Sequence, residues 1–90
     1  MEEVIPKEKE IGKVTHYFTN IGVAVVELSD ELSRGDTIHI KGATSDFTQK
    51  VESMQIEQEP IEKAEKGQSV GLKVTEHARE GDTTYKVIEE

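Results

Sequence analysis

The stretch from Val51 to Val74 reads VESMQIEQEPIEKAEKGQSVGLKV, and its periodicity decides the fold class. Val51, Met54 and Ile56 are apolar at a spacing that slips once out of two-residue alternation, as a strand with a bulge near Glu52 or Ser53 does. Pro60 cannot donate to a ladder and can start one helical turn, with Ile61 and Ala64 facing the same way. Lys66-Gly67-Gln68 ends that turn. Val70, Leu72 and Val74 then alternate with Ser69, Gly71 and Lys73, the pattern of a half-buried strand. A strand, a short buried corner and a return strand predict a barrel edge closed by a non-hairpin connection.

Working outward, Ile11 to Phe18 is β-branched and aromatic and predicts a strand. Thr19-Asn20-Ile21-Gly22 supplies its turn, with Asn20 and Gly22 able to take positive φ. Val23 to Leu28, VAVVEL, is a continuous apolar run that suits a strand covered on both sides; its periodicity does not say which face is inward. Ser29-Asp30-Glu31 can open a helical turn ending at Leu32. Ile38 and Ile40 mark a strand with one dry face, and Gly42 to Asp46 is a loop leading into a long strand from Phe47 to Glu57. Beyond Val74, a polar loop from Thr75 to Glu80 precedes a last strand on which Tyr85 and Val87 oppose Thr84, Lys86 and Ile88. Gly35-Asp36, Gly67-Gln68 and Gly81-Asp82 each stand just before an alternating strand, where glycine tolerates the tight turn and Asp accepts from neighbouring amides. Six or seven short strands punctuated in this way predict an all-β fold, a small closed antiparallel barrel with no sticky edges. Residues 1–10 read as a loose lead-in and 11–90 as one barrel domain.

Ninety residues make one domain, which by size scaling buries roughly 60–70% of its unfolded surface. There is no cysteine, so neither a disulfide framework nor a thiolate site exists. The opening MEEVIPKEKE holds no apolar core of a signal peptide, and no run approaches the ~20 apolar residues of a membrane span. A soluble, cytoplasmic protein is the expectation. Eleven basic residues against nineteen acidic ones leave a net charge of −8, with acidic residues gathered at Glu57 to Glu65 and at both ends. Binding that runs on neutralising phosphates is disfavoured by this balance.

The residues of chemistry do not converge. No G-x-x-x-x-G-K-[S/T] loop occurs, so nucleotide hydrolysis is not expected. His16, His39 and His77 have no second ligand at i+2 to i+4, and a metal site needs several converging ligands. Ser29, Ser33, Ser45, Ser53 and Ser69 lack a G-x-S-x-G context. Glu57, Glu59 and Glu62 can approach one another, but nothing apolar surrounds them to separate their pKa values. The expectation is a protein that is not an enzyme and needs no cofactor.

Val51, Ser53, Met54, Glu59, Ala64, Gly67, Val70 and Gly71, arranged V-x-S-M-x-x-x-x-E-x-x-x-x-A-x-x-G-x-x-V-G, resemble the second domain of the translation elongation factors. The resemblance extends to Gly22 and the Leu32-x-x-Gly35-Asp36 turn, covering roughly Ile11 to Ile88. It is closer still to the C-terminal barrel of a collagenase-like bacterial peptidase family, some members of which modify RNA. In elongation factor Tu this domain helps hold the aminoacylated 3′ end of tRNA, through positions that correspond here to Gln55, Glu57, Gln58 and Ser69. Gln55 replaces a glutamate, Gln58 an arginine and Ser69 an asparagine; losing the arginine removes the cationic fork that grips phosphate or stacks on a base. The resemblance implies a non-catalytic, free-standing domain 2-like barrel, an accessory module beside a protein partner, either a larger enzyme or a translation-related factor. Tyr17, Phe47 and Tyr85 are its candidate contacts where they are exposed, the other reading of each, and the favoured one, being a place in the core. The alternative is an RNA-binding module for tRNA or rRNA. It would act through Gln55, Glu57, Gln58, Ser69 and Lys73, with Lys41, Lys50, Lys73 and Lys86 forming a basic stripe.

Overall fold

A computed structural model describes residues 7–57 and 59–88. Within them the chain forms ten strands: β1 (Lys7–Phe18), β2 (Val23–Leu28), β3 (Leu32–Ser33), β4 (Thr37–Lys41), β5 (Asp46–Lys50), β6 (Met54–Ile56), β7 (Glu59–Ile61), β8 (Lys63–Ala64), β9 (Ser69–Lys73) and β10 (Thr83–Ile88). Eight make one sheet in the order β5-β4-β10-β1-β2-β9-β6-β7, antiparallel throughout, and β3 pairs with β8 as a separate ribbon. The fold is all-β, and no helix occurs among the described residues.

β1 starts at Lys7, ahead of the expected Ile11, and serves two neighbours. Its first half pairs with β10 and its second with β2, and the register slips on each side, between Glu10 and Gly12 and between Val14 and His16. Each slip inserts one residue and bends the strand. That is how Ile11 and Val14, three apart, both reach the core, at 0% and 1% exposure. Gly12 makes the bend possible, because a Cβ there would stand 2.5 Å from the Glu27 carbonyl oxygen.

The expected slip near Glu52 and Ser53 is a full interruption. β5 pairs with β4; after Val51–Ser53 the chain resumes as β6 and pairs with β9, near the other end of the sheet. No ladder among the described residues joins β5 to β7, so the closed cylinder expected from the strand count is not formed by hydrogen-bonded pairing. The covalent chain and side chains span the gap instead. Val51 N–H donates to the Asp36 carbonyl (2.8 Å) and its own carbonyl accepts from Gly35 N–H (2.9 Å). The Gln49 amide donates to Lys73 O (2.9 Å) and accepts from Thr75 N (2.8 Å). Both ends of the sheet thereby face one cluster, in which Ile11, Leu32, Ile38, Ile40, Met54 and Leu72 are almost wholly buried.

Three identical turns punctuate the sheet. In Ser33–Asp36, Glu65–Gln68 and Arg79–Asp82 the fourth N–H donates to the first carbonyl (3.0, 3.1 and 3.1 Å), and the third residue is glycine at φ between 91° and 96°. That is type II geometry, which requires positive φ at the third position. The fourth side chain reaches back as well: Asp36, Gln68 and Asp82 each accept the N–H of the first residue, at 2.8, 2.8 and 2.9 Å.

Several expectations are corrected. Pro60 starts no helical turn: it lies in β7, opposite Gln55 in a tight β6–β7 hairpin. The physical reason is position, since β7 ends the sheet and a missing N–H there breaks no ladder bond. The connection from β6 to the return strand β9, its antiparallel neighbour, is non-hairpin as expected, but it runs through β7 and β8. Ser29 to Glu31 form a bend into β3, with Asp30 accepting the Glu31 N–H (2.8 Å), in place of the expected helical turn. On β10 the deeply buried residue is Thr84, while Tyr85 and Val87 are half-buried. Of the two readings of Phe47, core and contact, the core one holds, at 6% exposure. Among the described residues no helix is long and apolar enough to cross a membrane.

Candidate functional site

β2 explains where a surface site arises. Ala24, Val26 and Leu28 are buried, so alternation turns Val23, Val25 and Glu27 outward. Val23 and Val25 are nevertheless half-buried. What half-covers them is the β1–β2 connection, where Gly22 at φ 65° donates to Phe18 O (2.9 Å) and folds Phe18 and Ile21 back over the sheet. These two are 45% and 57% exposed, the large apolar side chains at the lip.

β9 and β6 complete the floor and far wall. Gly71 stands mid-strand, opposite Val25 on one side and Gln55 on the other. A Cβ there would touch Val23 Cγ1 at 3.3 Å, so glycine leaves a notch in an otherwise continuous face. Gln55, Glu57 and Ser69 supply the polar rim. The resulting groove encloses about 340 Å³. Glu57 is the one non-glycine residue with positive φ (52°) among the described residues, held there by the tight reversal into β7.

Of the five candidate residues read from the sequence, three (Gln55, Glu57 and Ser69) meet at this groove. Lys73 lies on the same outward face of β9 but does not line it, and Gln58 lies outside the described residues. Sequence reasoning missed Phe18, Ile21, Val23 and Val25. The signal was the VAVVEL run, which carries more apolar residues than one buried face can use. The lysines do not form a stripe along the sheet: Lys41 and Lys86 lie on neighbouring β4 and β10, β1 and β2 separate them from Lys73 on β9, and Lys86 pairs with Asp36 (3.4 Å). Tyr17 and Tyr85 are half-buried, Tyr17 packing on the His77 ring at 4.5 Å.

Two other places hold charged groups. A wider hollow of about 990 Å³ lies beside the β3–β8 ribbon, where Arg34 Nε donates to Glu52 O (3.0 Å) and Lys63 pairs with Glu31 (3.1 Å). On the outer face of β4, His39 sits between Asp46 Oδ1 (2.5 Å) and Glu8 Oε2 (2.7 Å). The Asp46 hydrogen bond, with help from Glu8, raises the His39 pKa above the usual imidazole value; the same bond lowers that of Asp46. This cluster ties β1, β4 and β5 together across the sheet.

Comparison with known proteins places the chain among peptidase relatives. No family model matches it. It is 42% identical over 81 residues to an uncharacterized protease of Methanocaldococcus jannaschii, a match covering 89% of this chain and 20% of that protein. It is also 42% identical over 78 residues to a collagenase of Porphyromonas gingivalis, covering 84% of this chain and 22% of the collagenase. The chain thus spans about one-fifth of the length of these relatives. In three dimensions it superposes on the C-terminal domain of a Geobacillus thermoleovorans protein described as a U32 peptidase. The TM-score is 0.81 at 25% identity, covering 87% of this chain and 91% of that domain. These matches overturn the translation-factor reading of the function: the names they carry are protease, collagenase and U32 peptidase, and the collagenase-like half of the resemblance is the part that stands.

Proposed function

We propose that this chain is a C-terminal-type β domain of the collagenase and U32 peptidase kind, and that it contributes binding to a larger peptidase-like protein rather than cleaving bonds itself. The observation that carries this reading is the pairing of two coverages. The match takes in a fifth of the named proteases, yet it fills 91% of a structure that is itself a C-terminal domain. The side chains support a non-catalytic role. The serines have no histidine hydrogen-bonded to them among the described contacts, and His39 is engaged on both ring nitrogens by carboxylates. A general base needs a free nitrogen within reach of the proton it takes.

The test uses the chain as it is, mixed with a collagenase-family protein from which the matching fifth has been removed. Co-elution on size exclusion, with no cleavage of a fluorogenic peptide by the chain alone, is the expected result. Peptide cleavage by the isolated chain, or indifference to the truncated protein, would refute it.

A further inference from the structure

We infer that the groove over Gly71 binds an extended protein segment carrying one apolar side chain next to a lysine or arginine. The inference rests on the reading above only for the identity of the protein that supplies the segment. Three independent features of the groove point the same way. Val23 and Val25 put apolar surface on the outer face of a sheet that is otherwise polar there, under the overhang of Phe18 and Ile21. Gly71 removes the one side chain that would fill the space between them, and glycine inside a strand marks close approach by another group. A volume of about 340 Å³ suits a single anchor residue.

The charge selects the neighbour of that anchor. Glu57 lines the groove in a left-handed conformation that glycine, asparagine or aspartate would occupy more easily. Glu59 and Glu65 follow it as exposed acids, and none of the three has an ion-pair partner among the described residues. With a net charge of −8, the rim repels phosphate backbones and anionic lipid and attracts a cationic side chain.

The probe is a phage-displayed library of random dodecapeptides selected on the 90-residue chain. Enriched sequences are expected to place an aromatic or aliphatic residue within two positions of Lys or Arg. A synthetic peptide of that consensus should shift the amide resonances of Val23, Val25, Gln55, Ser69 and Gly71. Glu57→Lys should weaken its binding about fivefold or more, since reversal replaces attraction by repulsion. Glu57→Gly, which relaxes the turn while removing the charge, should weaken it in the same direction without loss of amide dispersion. Absence of a consensus, an acidic consensus, shifts centred on another face, or equal affinity for the Glu57 variants would each overturn the inference. So would concentration-dependent self-association abolished by Phe18→Ser, because the occupant would then be a second copy of the chain. The selection needs no peptidase counterpart, so its failure is distinguishable from failure of the co-elution test.

Discussion

Thr84 is wholly buried on β10, and its hydroxyl finds no hydrogen-bond partner among the described atoms. A buried hydroxyl without a partner carries a desolvation penalty that an isosteric methyl does not. Thr84→Val should therefore leave stability unchanged or raise it by about 1 kcal/mol, read as an increased urea midpoint with an unchanged slope. A marked fall would mean the hydroxyl is bonded in solution. Gly12 gives the opposite case. A Cβ there would meet both the Glu27 carbonyl (2.5 Å) and Val26 Cγ1 (2.8 Å), neither of which can yield without moving β2. Gly12→Ala should cost about 2 kcal/mol through overpacking. Gly35→Ala, which meets nothing within 4 Å and suffers only its positive φ, should cost about 1 kcal/mol. Equal losses at the two sites would show that backbone strain, rather than the close approach of β1 to β2, governs Gly12. Neither residue was readable in the sequence as what it is. Thr84 sits in a stretch whose apolar members, Tyr85 and Val87, occupy the other face, and a glycine's reason lies in whatever strand passes beside it.

At the scale of elements, two side-chain devices add links that the ladders do not make. Gln49 on β5 exchanges hydrogen bonds with the backbone at Lys73, the last residue of β9, and at Thr75 just beyond it. Gln49→Ala leaves those backbone groups to water and should cost about 0.5–1.5 kcal/mol, with faster amide exchange at Thr75 as its local signature; unchanged exchange there would remove Gln49 from this role. The second device is His39 with Asp46 and Glu8. His39 has its folded pKa raised above 6.5, so its contribution to stability is full below that value and is lost as pH rises through the folded pKa. Asp46 has its pKa lowered below 3.8, so its contribution is present above that value and is lost as pH falls through the folded pKa. Between the two, both partners are charged. Thermal midpoints should decline from slightly acidic toward alkaline pH, and His39→Gln should flatten that decline. A wild-type and variant with parallel pH profiles would refute it. The turns at Gly35, Gly67 and Gly81 were readable because their cause is local. The β6–β7 hairpin was not, because only the sheet order reveals that Pro60 lies on an edge where its missing donor does no harm.

For the whole molecule, a single long strand broken at Val51–Ser53 joins the two regions of the sheet that a hydrogen-bonded seam would otherwise have to bring together. The break in apolar phase at Val51–Met54 was visible in the sequence; the bends in β1 that let the sheet curve were not, since they follow from register against two neighbours. The rim of the groove was legible through Gln55, Glu57 and Ser69, while its apolar floor was hidden because an outward valine looks like an inward one. What the entire surface does collectively follows from its charge. Seven ion pairs or His–carboxylate contacts involving described residues consume several cations, and a net charge of −8 leaves acids such as Glu59 and Glu65 exposed with no ion-pair partner among the described residues. Screening weakens the pairs and the repulsions alike, but repulsion is the larger sum when acids outnumber bases nineteen to eleven. Raising NaCl from about 0.01 M to about 0.5 M shortens the Debye length from roughly 30 Å to under 10 Å and should raise the thermal midpoint. The double variant Glu59→Gln/Glu65→Gln should begin higher at low salt and gain less from added salt. If salt lowers the midpoint instead, the exposed pairs outweigh the repulsion, and the acidic corner beside the groove stabilises the fold rather than standing open to a cationic partner.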